Sequence, residues 1–184
     1  MSETLMTIIA IFAATIIMFI FPLMWTASSQ EEITQIAVQT LVSDFVNTAS
    51  TKGKVTKEDY EGFVKKLNAT GNTYDVEIEI QILDDNPGKK TTMTSKNLIG
   101  ENIYYSVFTS TILYGTDGIG IYDSGNTKNE YLLKAGDYII VTVKNTNTTI
   151  ATQLKDTFYG MVGKDTYTIG ASATALVINS GAKQ

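Results

Sequence analysis

The sequence predicts an α+β protein: one long N-terminal helix packed against a small antiparallel β-sheet head. Three observations carry this. From Thr4 to Gln30 no side chain is charged, and Leu5–Trp25 (LMTIIAIFAATIIMFIFPLMW) is almost wholly apolar. Gln30–Ser50 then keeps a helical apolar period. Farther on, Tyr74–Leu83 (YDVEIEIQIL) alternates apolar and polar residues, the period of a half-buried strand.

The opening segment has the length of a bilayer span. At 1.5 Å per residue, Leu5–Trp25 reaches roughly 30 Å, the thickness of a hydrocarbon core. Its Leu, Ile and Phe residues favour insertion by roughly 3–7 kcal/mol together. A cleaved signal peptide is the competing reading, with small residues available at Thr26–Ser29. Met1–Thr4 holds no basic residue, however, and the apolar run exceeds an ordinary signal core. Residues 1–29 are therefore expected to form a transmembrane anchor, with Leu5, Ile9, Phe12, Ile16, Phe19, Pro22 and Trp25 on its packing surface. The first basic residue is Lys52. Nothing basic flanks the span to hold the C-terminal side in the cytosol, so the head is expected outside the membrane, at the cell surface.

Residues 30–51 are expected to continue the anchor as an amphipathic helix. Ile33, Ile36, Leu41 and Phe45 form the stripe that would tie rod to head, burying it for about 5–10 kcal/mol before entropy. Pro22 removes one backbone donor, so a kink or local unwinding is expected there; a kink tolerated at the bilayer edge is the alternative. Trp25 has the amphipathic indole of an interfacial anchor.

Residues 52–184 are expected to form the head. Lys52–Gly53–Lys54 ends the rod, and Thr56 caps a second helix with Glu58 and Asp59 in its first turn. Gly71 is its expected stop. Asp84–Gly88 reads as a turn, and Asn102–Tyr114 fits strand and short helix equally. Gly115–Asn129 reads as a loop, and YIIVTVK (Tyr138–Lys144) as a strand. A helix carries Ile150, Leu154, Phe158 and Met161, and a closing strand lies within Thr166–Asn179. The tail Ser180–Gln184 reads as loose.

Composition excludes several chemistries. The chain has 184 residues, a net charge of −5, 18% charged residues, and no His and no Cys. The commonest general base, the commonest imidazole metal ligand and all thiol chemistry are absent. Every cation is Lys, so the bidentate Arg contacts of nucleic-acid recognition are missing too. No enzyme activity, cofactor, metal, nucleic acid or small-molecule substrate is expected. Asp84–Asn86 and the set Asp117, Asp123 and Asn126 lack the spacing of a calcium loop. Glu77 and Glu79 alternate with apolar residues, which marks a solvated sheet face rather than an acid–base pair. Tyr104, Tyr105, Tyr114, Tyr122, Tyr131 and Tyr138 read as strand and core tyrosines, with sugar or partner binding as the alternative.

A charge-free N-terminal span, a proline near its outer end, an amphipathic continuation and a small antiparallel head together resemble a type IV pilin or pseudopilin. Three segments are similar to pilin-like proteins of tight-adherence (Tad) pilus systems in Gram-positive bacteria: Gly53–Glu79, Leu132–Gly160 and Asp165–Val177. The resemblance implies a type IV pilin-like fold. It also implies a structural subunit whose apolar helix is first a membrane anchor and then the packed core of a surface filament used in adhesion. Partners would be the lipid bilayer and other pilin-like subunits. Glu3 would take the place of the family's N-proximal glutamate, a candidate assembly charge pairing with a neighbour's amine; the alternative is that it only sits among headgroups. The competing reading is a single-pass, membrane-tethered extracytoplasmic binding or accessory module of a secretion or conjugation machine, which does not polymerise.

Overall fold

The computed structural model describes residues 2–84, 104–149, 152–153 and 169–181. Among these, α1 (Ser2–Lys52) is followed by β1 (Lys54–Thr56), α2 (Lys57–Asn68), β2 (Tyr74–Leu83), β3 (Tyr104–Phe108), α3 (Thr109–Tyr114), β4 (Glu130–Leu132), β5 (Tyr138–Asn145) and β6 (Gly170–Leu176). The class is α+β: a long N-terminal helix on a small antiparallel sheet. Apart from Thr152 and Gln153, which are helical, the helix expected at Ile150–Met161 lies outside the described residues, as do the turn at Asp85–Gly88 and the start of the last strand.

One four-stranded sheet, ordered β3-β2-β5-β6, is antiparallel throughout, and β1 pairs with β4 in a separate two-stranded ladder. Because side chains alternate, register decides the core. Ile80, Ile139 and Ala175 lie side by side across β2, β5 and β6; so do Ile78, Val141 and Ala173, and Val76, Val143 and Ala171. The alanines on β6 keep that edge of the sheet low, and α1 packs over it. Val38, Val42, Phe45, Val46 and Ala49 supply the helix side of the core.

The second helix starts as its sequence dictates. Thr56 Oγ1 accepts the Asp59 N–H at 3.1 Å and donates to Asp59 Oδ2 at 2.8 Å. Phe63 and Leu67 are buried, and the Phe63 ring stacks on Phe45 with centroids 4.5 Å apart.

Four expectations need correction. First, α1 runs through Pro22 without a break, so no turn is unwound there. The proline deletes one hydrogen bond, and the helix continues across it. Second, the stretch expected as strand or helix is both where it is described: Tyr104–Phe108 is β3, and α3 begins at once and ends at Tyr114. Third, the segment between rod and second helix, read only as the end of one and the cap of the other, forms a strand at Lys54–Thr56. Fourth, Ser180 and Gly181 are tied down: Gly181 N donates to the Leu133 carbonyl at 3.0 Å, beside Gly53.

Candidate functional site

The surface that distinguishes this chain is the outside of α1. Glu3–Lys52 is long and apolar enough to cross a membrane, with an 18-residue window of mean hydropathy 2.6, none of it buried within the molecule. Leu5, Ile9, Phe12, Ile16, Phe19 and Trp25 are all exposed, as is Pro22. Trp25 is 78% exposed. Glu3 is exposed two residues before the apolar run, where its carbonyl accepts from Thr7 Oγ1. Such a surface is far larger than the apolar patches that soluble monomers usually expose.

The head is attached to the second half of α1 along two stripes. The apolar one is Val38, Val42, Phe45, Val46 and Ala49, with Leu41 packed at its margin. Ile33 and Ile36 were expected on this stripe and are not: both are 67% exposed. At about 100° per residue they point away from Val38, Val42 and Val46. This half of the helix is apolar on two sides, and the head takes only the valine side.

The other stripe is polar. Glu31, Gln35 and Gln39, spaced i, i+4 and i+8, lie in one row along the helix. Glu31 is 8% exposed. Its Oε1 accepts from Thr149 Oγ1 at 2.7 Å and from Thr152 Oγ1 at 3.2 Å. Gln35 Nε2 donates to the Gly170 carbonyl, and Gln35 Oε1 accepts the Gly170 N–H at 3.1 Å. Gln39 Nε2 donates to the Ser172 carbonyl at 3.2 Å. The glutamines thus engage backbone groups on the outer edge of β6, the edge strand, and blunt it against pairing with another chain. Near the top of the rod, Asn179 Nδ2 donates to the Thr51 carbonyl at 2.8 Å. Sequence reasoning missed Glu31, Gln35 and Gln39; their four-residue spacing places them on one helix face but names no partner.

Other candidates find structural roles. Asp123 Oδ2 accepts the Gly118 N–H at 2.6 Å, and Asn126 Nδ2 donates to the Gly120 and Glu130 carbonyls. Among the described residues no three His, Cys, Asp or Glu gather where a metal could sit. Glu79 accepts from Ser106 and Gln81 on the outer face of the sheet. Asp137 is 2% exposed, and its carboxylate takes the Leu83 and Lys134 N–H groups, closing the turn before β5.

Four of the tyrosines meet in two pairs. Tyr104 meets Tyr138 edge to face at 5.5 Å. Tyr122 is held between the Lys57 ammonium, 5.0 Å from its centroid, and the Tyr114 ring at 5.6 Å, while its hydroxyl donates to Glu61 at 3.2 Å. Burial and then the Glu61 charge push the Tyr122 phenol up to about 12. Burial opposes ionisation of Asp59. Hydrogen bonds from Lys52 and Thr56, with the Lys52 charge, outweigh it and leave the carboxyl below its ordinary range.

Comparison of the chain with protein-family models, with curated proteins and with solved structures found no match.

Proposed function

We propose that the chain is a membrane-anchored, pilin-like structural subunit of a surface filament. In this reading the apolar half of α1 sits first in lipid and then among the helices of neighbouring copies, and the head lies outside the cell. Assembly and adhesive surface contact are its work, and no reaction is catalysed.

The observation that carries the reading is the position of Ile33 and Ile36. They lie beyond Trp25, past the stretch that a bilayer would cover, and on the side of α1 that the head leaves bare. At 1.5 Å per residue Ile36 stands about 16 Å above Trp25. Lipid does not reach that height, whereas a second helix packed along the first would bury both side chains. A monomeric tethered module gains nothing from an apolar stripe there. Glu3, at the start of the span, is placed in sequence where a carboxylate could meet a neighbour's amine in low dielectric, which would strengthen the pair.

The test is the double variant Ile33→Lys, Ile36→Lys. The head's own packing does not use either side chain, so folding and membrane insertion should persist while filaments disappear from sheared cell surfaces. Filaments at wild-type length and number would reject the reading in favour of the tethered module.

A further inference from the structure

A cavity of about 490 Å3 lies between the foot of the head and α1, and neither the anchor nor the docking stripes account for it. Its helix wall is Thr26, Gln30 and Thr34; its head wall is Asn72, Asn147 and Thr148. Leu23, inside the apolar run, marks its lower end, and Glu31 belongs to its lining.

The walls are prepared for hydrogen bonding. Thr26 and Thr34 donate their hydroxyl protons to the Pro22 and Gln30 carbonyls, which leaves oxygen lone pairs as acceptors. Asn147 Nδ2 donates to Asn72 Oδ1 at 3.2 Å, and Asn147 Oδ1 accepts the Thr73 N–H at 2.8 Å, so the head wall is fixed in place. The Gln30 carboxamide and the Thr148 hydroxyl make no hydrogen bond among the described residues and offer donors as well as acceptors. Hydroxyls and carboxamides from two sides suit a ligand that presents many hydroxyls. They are a poor clamp for a phosphate, which the Glu31 carboxylate would repel.

Height along the helix selects the source of that ligand. With Leu5–Trp25 in the hydrocarbon layer, Thr26 to Gln30 pass through the headgroup layer, and the lower part of the cavity, walled by Thr26 and Gln30, opens at that level. We infer that this cleft binds the uncharged, polyhydroxylated headgroup of a membrane glycolipid, one molecule per unassembled subunit. The inference rests on the reading of Leu5–Trp25 as an anchor.

The experiment uses the full chain in nanodiscs of equimolar monoglucosyl-diacylglycerol and phosphatidylglycerol with matched acyl chains, and reads retained lipid by native mass spectrometry. Two hydrogen bonds predict about tenfold retention of the glucolipid over the phospholipid. The double variant Gln30→Ala, Thr148→Val should return retention to parity with unchanged melting temperature, because neither side chain holds the fold. Trp25, the single tryptophan, lies about 200° around the helix from Leu23 and reports anchor depth separately, through quenching by brominated acyl chains. Parity in the wild type with Trp25 quenched overturns the cleft and leaves the anchor standing. An unquenched Trp25 overturns both. Retention of the glucolipid unchanged in the variant, preference for the phospholipid, or displacement by equimolar free methyl glucoside also overturns the inference.

Discussion

Gln35 holds both backbone groups of Gly170. One side chain of α1 thereby stands in for a missing strand at the edge of the sheet, with Gln39 repeating the contact at Ser172. Rod and head are thus joined by directional bonds as well as by apolar burial, which fixes the angle of the head on its helix.

Gln35→Leu leaves the Gly170 N–H and carbonyl without that partner. The expected loss is about 1–3 kcal/mol, read as a lower melting temperature of the full chain in detergent. Gln39→Leu, with one bond to lose, should cost less.

Gly53 turns the chain from α1 into β1 with φ +66°, and a Cβ there would lie 2.1 Å from the Asn179 carbonyl oxygen. Gly53→Ala should cost at least about 2 kcal/mol. Gly62→Ala is the contrasting case: nothing lies within 4 Å, and the residue is inside α2. It should stabilise by about 0.5–1 kcal/mol in the same unfolding assay.

Phe45 and Ile33 lie on the same helix with opposite fates. Phe45→Ala removes a buried ring stacked on Phe63 and should cost about 3–5 kcal/mol. Ile33→Ala should change unfolding by no more than about 0.5 kcal/mol. Chemical denaturation of both variants checks the pair.

Asp59 and Tyr122 contribute to the acid and alkaline limits of the fold, and burial of Tyr60 and Tyr131 adds to the alkaline one. Asp59 ionises more easily folded than unfolded, so its contribution is present above its unfolded pKa, about 4, and is lost as pH falls through the lower folded value. Tyr122 behaves oppositely. Its phenol stays protonated when folded up to about 12 while the unfolded chain ionises near 10, so stability falls as pH rises between the two. Tyr122→Phe should flatten the alkaline limb of melting temperature against pH, and Asp59→Asn the acid limb.

Much of the fold was legible because it is written in local periods. The apolar run, the Thr56 cap and the alternation of β2, β5 and β6 each need only neighbours in sequence to be read. What was not legible depends on distant partners. The Lys54–Thr56 strand is three residues long and pairs with Glu130–Leu132, far along the chain, so no period announces it. The helix stripe was misassigned because Ile33 and Ile36 are as apolar as Val38 and Val42, and only the position of the sheet decides which pair is covered. Glu31, Gln35 and Gln39 were not legible as a contact, since nothing local says that a glutamine amide will find the edge of a strand.

The most direct test of whether copies cover the bare half of α1 is oxidative cross-linking of Ile16→Cys in native membranes, in a chain that has no other cysteine. A regular ladder of dimers and higher multimers is expected. Monomer alone, at full membrane abundance of the variant, would contradict the filament-subunit reading.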